Sequence, residues 1–483
     1  MPSFCRSSAV LLIAFVCAAN SAKAQTEVQT EAQSEAQPKA QAYAQPDAEV
    51  YPSTYQPLPS EPVLIVNATI LTGTGQRLDN SSLLLVDGKV AELSDGKTIK
   101  ADQDVTKLDA EGRWVTPGLI DVHSHLGVYA SPGLEAHSDG NEMTAPSTAN
   151  VWAEHSIWPQ DPGFTRALAG GVTSMQILPG SANLIGGRGV TVKNVSSVSY
   201  QGMKFPGAPY GLKMACGENP KRVYGSKALA PSTRMGNVAG YRAQWIEAQK
   251  YIADWAKYQA DVGAGKEVTT RPVRDLRLET LAGVLHGEIL VHMHCYRADE
   301  MMTVLDMADE FSYQIAAFHH AVEAYKIADE LAEAKTCGAL WADWWGFKAE
   351  AYDGIQENIA IVDRAKRGCA IVHSDSAEGI QRLNQEAAKA MTSGIASGMV
   401  ITPEHAIQWI TANPAKSMGI LNQTGTLEPG KMADVVIWDG NPFSVYAKAD
   451  QVFIDGALVY DRHDPAKQPV TDFELGQLQG VQP

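Results

Sequence analysis

Residues 354–375 read GIQENIAIVDRAKRGCAIVHSD. Ile355, Ile359 and Val362 recur at steps of four and three, so the first part predicts an amphipathic helix. The second part, CAIV, predicts a short buried strand that stops at His373 and Asp375. The same rhythm appears in AVEAYKIADELAEAKTCGALWAD (321–343) and, through a Gly-Gly turn, in DPGFTRALAGGVTSMQIL (161–178). Helix and apolar strand alternating over roughly 300 residues imply parallel strands joined by crossover helices, and a closed eight-fold barrel suits that length. We place this α/β barrel at residues 116–415.

The flanks have a different texture. PVLIVNATIL (62–71) and SSLLLVDGKVAEL (81–93) alternate in the manner of strands, as do ADVVIWDG (433–440) and QVFIDGALVYD (451–461). Asp87-Gly88 and Asp455-Gly456 are hairpin-turn signals. Residues 62–115 and 416–465 are therefore expected to form the two parts of one composite β-sandwich, with 466–483 as a C-terminal tail.

The N-terminus predicts export. Arg6, the apolar run from Ala9 to Ala19 and Ala22-Lys23-Ala24 are laid out as a cleaved signal peptide over residues 1–24, placing the mature chain in a secreted or periplasmic compartment. The run is too short to span a membrane. Residues 25–61 are rich in Gln, Ala, Glu and Pro and read as a disordered tether.

Of the 483 residues, 39 are Lys or Arg and 55 are Asp or Glu, a formal charge of −16. That balance argues against nucleic acid or an anionic membrane as partner. Of six cysteines, Cys5 and Cys17 fall in the signal segment; Cys216, Cys295, Cys337 and Cys369 lie in apolar stretches without CxxC spacing and read as buried thiols.

Active sites of such barrels sit where strands end. The polar residues that interrupt the apolar runs are grouped there. LIDVHSHLG ends in His123 and His125, which share a face because they are two apart. EILVHMHCYRADE supplies His292 and His294, SYQIAAFHHAVEAYK supplies His319 and His320, and GCAIVHSDS supplies His373 and Asp375. YGLKMACGENPK carries Lys213 and Glu218. Imidazoles and a carboxylate from separate strand ends are a donor set suited to a divalent cation such as zinc.

TPGLIDVHSH, GGVTSMQILPGSANLIGGRG, LKMACGENPKRVYG, HHAVEAYKIADEL, HSDS and GTLEPGKMADVVIWDGNP together resemble the amidohydrolase superfamily, in its imidazolonepropionase-like and metal-dependent dipeptidase-like branch. The resemblance spans Pro62 to about Asp461. It implies a TIM-like (β/α)8 barrel with a β-sandwich, one or two divalent metals, zinc for preference, and hydrolysis of a C–N bond by metal-activated water. Carried over, His123, His125, His294, His320 and Asp375 are the expected metal ligands, with Asp375 also the proton shuttle. Glu218 is favoured over a carboxylated Lys213 as the anionic bridge, and His320 over His319; a mononuclear site is the outcome if neither bridge serves. His373 or His292 is available to an oxyanion.

Arg222 and Tyr224 are candidates to grip a substrate carboxylate. PGSANLIGGRG (179–189) reads equally as a ligand-hugging loop or a tight structural one, and LWADWWGFKAEAYD (340–353) as a pocket wall or core. The expected substrate is a small-molecule or peptide-like amide. A heterocycle deaminase and a non-catalytic binding relative are the alternatives. Relatives in this superfamily are often oligomers, so a homo-oligomer is compatible with the chain.

Overall fold

The computed structural model describes residues 50–97, 99–100, 104–267 and 270–468. The expected signal peptide, the expected tether up to residue 49 and the tail beyond residue 468 lie outside the described residues. Strands β1 (Val63–Leu71), β2 (Arg77–Val86), β3 (Lys89–Ser94), β4 (Thr106–Asp109) and β5 (Trp114–Pro117) come first. The barrel strands follow: β6 (Leu119–Ser124), β7 (Val172–Ile177), β8 (Ile185–Lys193), β9 (Gly211–Ala215), β10 (Leu290–Cys295), β11 (Ile315–His320), β12 (Cys337–Leu340) and β13 (Ala370–Val372). β14 (Val435–Trp438), β15 (Ala449–Ile454) and β16 (Ala457–Asp461) complete the chain.

The flanking strands join in one hydrogen-bonded mixed sheet, ordered β16-β15-β14-β5-β1-β2-β3, with β4 also paired to β1. β14 lies antiparallel to β5, which knits the two ends of the chain together. Val63, Ile65, Ile70, Leu83, Val115, Val435, Ile437 and Phe453 form a single apolar cluster drawn from both flanks. Asp87-Gly88 and Asp455-Gly456 both take positive φ (50°, 74° and 47°, 74°), the conformation that two-residue hairpin turns require.

The barrel sheet runs β13-β12-β11-β10-β9-β8-β7-β6. Its strands are buried on both faces, as β6 (LIDVHS) illustrates throughout its length. β9 to β13 pair in parallel, and so do β6 and β7. One expectation fails: β8 is antiparallel to both neighbours. The reason is connection length. Only residues 178–184 separate β7 from β8, too few for a crossover helix, so the chain turns straight back. No ladder pairs β6 with β13; instead the Asp375 amide donates to the His123 carbonyl (3.1 Å), and the barrel is nearly closed.

Two further expectations are corrected. The four cysteines are not thiols but two disulfides, Cys216–Cys295 and Cys337–Cys369. They sit at the ends of neighbouring strands, where Cβ atoms of paired residues come close enough to bridge. The last part of the supposed tether is also ordered: the Thr54 amide donates to Gln201 O (3.0 Å), Lys204 Nζ donates to Tyr51 O (2.7 Å), and Tyr55 is buried. Sparse aromatic residues in a polar segment were enough to dock it. Among the described residues no helix is long and apolar enough to cross a membrane.

Candidate metal centre at the barrel mouth

His123 lies near the end of β6 and His125 just past it, and their rings meet edge to face at 4.9 Å. Their Nε2 atoms lie 3.2 Å apart. Asp375 Oδ1 stands 3.4 Å from His123 Nε2 and 3.2 Å from His125 Nε2, and its Oδ2 is 3.8 Å from His320 Nδ1. Two sets of donor atoms converge within 4.8 Å of one another: His123, His125 and Asp375, and His123, His320 and His373. His123 belongs to both. The five residues come from three strand ends: His123 and His125 from β6, His320 from β11, and His373 and Asp375 from the turn after β13.

The surrounding network orients the rings. His125 Nδ1 is 2.8 Å from the Leu178 carbonyl; donation there leaves Nε2 as the free lone pair. His123 Nδ1 and His319 Nδ1 approach to 2.9 Å, and His319 Nε2 meets His292 Nδ1 at 2.9 Å. His319 thus links two other imidazoles, while His320 Nδ1 and both ring nitrogens of His373 are buried without a hydrogen-bond partner. His294, whose Nδ1 is likewise unpartnered, packs 4.7 Å from the His320 ring and lies outside both donor sets. Its Nε2 is 3.4 Å from Asn219 Nδ2.

Burial, reinforced by the buried Lys213 ammonium, drives the pKa of His123 and His294 well below the ordinary range, and burial with the neighbouring His294 and His373 rings does so for His320. Burial first, then neighbouring imidazoles and Lys213, does the same to His319. Burial takes His292 down to about 3 and His373 to about 4. Neutral imidazoles are the ligating form. Burial pushes Asp375 up, but the His125 hydrogen bond and the charges of His125, His373 and Lys213 outweigh it and hold the carboxyl below its usual value. His320 and Asp375 have φ of 70° and 50°, backbone strain of the kind that gathers at functional sites.

The fourth-strand position differs from the preferred expectation. Glu218 Oε1 faces Lys348 Nζ at 3.3 Å and belongs to neither donor set. Lys213 is fully buried, pairs across to His292 on β10, and donates from Nζ to Pro179 O (3.0 Å); burial lowers its pKa to about 8. β9 ends at Ala215, and Gly217 (φ 76°) turns the chain into the helix Glu218–Gly225, so Glu218 opens a helix instead of ending the strand. Tyr224 is buried with its hydroxyl donating to Ala145 O (2.6 Å), so its phenol is engaged in the fold. Arg222 is exposed on the helix Glu218–Gly225.

Some site residues were not singled out by the sequence. Asp121, buried and pushed up to about 7 by burial, accepts the His123 amide (3.1 Å), the Ser374 amide (3.3 Å) and the Ser374 hydroxyl, and so ties β6 to the end of β13. Trp341 stacks on His320 at 4.2 Å. The signal for Asp121 was available: an acid inside an otherwise apolar strand must find donors. The segment 179–189 packs tightly, since a Cβ on Gly180 would meet Asn141 and one on Gly187 would meet the Val151 carbonyl, and its first residue, Pro179, accepts from Lys213.

Comparison with known proteins agrees with this architecture. Residues 372–459 match the amidohydrolase family model. The amidohydrolase tasK of Hapsidospora irregularis is 35% identical over 380 residues, covering 74% of this chain; the chain spans only 38% of that relative's length. An imidazolonepropionase of Brucella anthropi is 27% identical over 376 residues, 75% of this chain and 87% of the relative. The crystal structure of an amidohydrolase from Thermotoga maritima superposes with a TM-score of 0.74 at 36% identity, covering 83% of this chain and all of that one. The solved relative shares the barrel and its flanking domain with this chain, and the protein belongs to the amidohydrolase superfamily, in its imidazolonepropionase-like branch.

Proposed function

We propose that this protein is an exported, metal-dependent hydrolase that cleaves the C–N bond of a peptide-like or N-acyl amide at the barrel mouth. The observation that carries the reading is the convergence of His123, His125 and Asp375, and of His123, His320 and His373, within 4.8 Å. The donor chemistry fits a divalent cation, zinc for preference: neutral imidazoles, a carboxylate held ionised, and buried ring nitrogens with no hydrogen-bond partner. His123, His125, Asp375 and His320 would hold it, with His294 beside them. A divalent cation in such a site acidifies water and polarises the scissile carbonyl.

The chain's own groups supply the rest. Asp375 accepts the proton of the attacking water on a carboxylate oxygen and passes it to the departing nitrogen, general base and then general acid. His373, its ring nitrogens unpartnered, hydrogen-bonds the developing oxyanion. Arg222, exposed on the helix Glu218–Gly225, is placed to meet a substrate carboxylate. With Glu218 engaged by Lys348, Lys213 carboxylated on Nζ by carbon dioxide is the better candidate for the anionic bridge if two cations bind. The two disulfides support the reading of an oxidising, exported location.

The test joins metal analysis to a substrate screen. Purified protein should hold about one or two divalent ions per chain and lose activity on chelation, and N-acyl amino acids or dipeptides should be cleaved where amino-heterocycles are not deaminated. Asp375→Asn should keep most of the metal and lose about 10²- to 10⁴-fold in kcat. Protein devoid of tightly held metal, or a variant of unchanged rate, overturns the proposal.

A further inference from the structure

The segment after β12, residues 341–348 (WADWWGFK), supplies an aromatic path that the chemistry above does not use. It begins at the candidate ligand His320, on which Trp341 stacks at 4.2 Å. Trp344 continues it at 5.5 Å from Trp341, tilted by 32°, and Phe347 meets Trp341 edge-on at 5.7 Å. Tyr296 closes the side, 6.2 Å from Phe347 and 6.1 Å from Trp341. The inner ring is buried, Trp341 being 8% exposed, but Trp344 is 42% and Phe347 57% exposed. Core packing does not account for rings left in water.

The stretch of chain that carries these rings is anchored on both sides. Glu350, buried just behind them, accepts the Glu218 amide (2.9 Å) and pairs with Arg234. Asp343, just before them, pairs with Lys389 at 2.8 Å. Lys348 Nζ lies 4.2 Å over the Tyr296 ring and donates to Asn219 Oδ1 (3.0 Å). A contiguous apolar surface held open beside a reactive centre marks a ligand site, and faces and edges of π-systems favour a ring over an alkyl group of equal area.

We propose that residues 341–348 form a specificity wall that receives an aromatic ring carried by the substrate next to the scissile bond, with Trp344 and Phe347 as its contact residues. This rests on the hydrolase reading and narrows its substrate class to aryl-bearing amides.

The experiment compares N-acetyl-L-phenylalanine with N-acetyl-L-leucine, both as substrates and as ligands in calorimetric titration of the metal-loaded enzyme. The aryl compound should be favoured about tenfold in kcat/KM or in Kd, the size of an added aromatic contact. In the Trp344→Ala/Phe347→Ala double variant the ratio should fall to about one with the melting temperature retained, and Trp344→Phe should restore most of it. Hydrolysis of both compounds at equal rates overturns the wall and leaves the hydrolase standing. If neither is hydrolysed, the hydrolase reading fails for this class and the titration alone decides the wall. Binding of neither compound, or a double variant whose main effect is to split an oligomer into monomers, overturns it as well.

Discussion

Lys213 and Glu218 show what a reach argument leaves out. Glu218 was favoured as the bridge because a short carboxylate at a strand end lies close to the mouth. The strand stops at Ala215, and Gly217 turns the next residues into a helix, so the carboxylate meets Lys348 instead. Lys213, deeper and longer, stays among the imidazoles. Glu218→Gln is therefore expected to leave metal content unchanged, whereas Lys213→Met should weaken metal binding by about 10- to 100-fold, the loss typical of groups that support metal ligands. Competition with a chromogenic chelator measures both. The histidine positions were legible because strand alternation has a strict period of two: His123 with His125 had to share a face. The choice between His319 and His320 was not legible in that way. It depends on which ring nitrogen finds a partner across the barrel, and His319 finds two.

At the scale of elements, helix-strand alternation was written in residues such as Ile355, Ile359 and Val362, and the hairpins in Asp87-Gly88 and Asp455-Gly456. Strand direction was not. β8 reads as an apolar strand like the others, and only the short link of residues 178–184 dictates that it return antiparallel. The cysteines follow the same logic: their spacings of 79 and 32 residues carry no pairing signal, and they pair because β9 adjoins β10 and β12 adjoins β13. Removing the second bridge with Cys337→Ser/Cys369→Ser should cost about 2–4 kcal/mol of stability, from restored freedom of the unfolded loop. Chemical denaturation with and without reductant checks this: reductant should lower the wild-type midpoint further than it lowers that of the double variant.

At the scale of the whole molecule, one buried cation joins three parts of the chain. Lys193, at the end of β8 and fully buried, donates to Asp455 (2.8 Å) and Asp434 (3.2 Å) in the flanking sheet. Tyr55 from the N-terminal segment donates to the same Asp455, and Thr424 donates to Asp434 (2.7 Å). Lys193→Ala strands two buried carboxylates and should destabilise the protein by about 3–5 kcal/mol. Equilibrium unfolding in urea measures the change, and a loss below about 1 kcal/mol would show that the three parts are held by other contacts. The amino-acid sequence by itself determined that this chain builds a barrel between two strand-rich flanks and that imidazoles end the barrel strands, because hydrophobic period and turn chemistry are local properties. Only the tertiary structure decided which donors meet, that Lys193 finds Asp434 and Asp455, which cysteines bridge and where Glu218 points. Those outcomes depend on distances between residues tens to hundreds of positions apart, and such distances exist only once the two sheets have assembled.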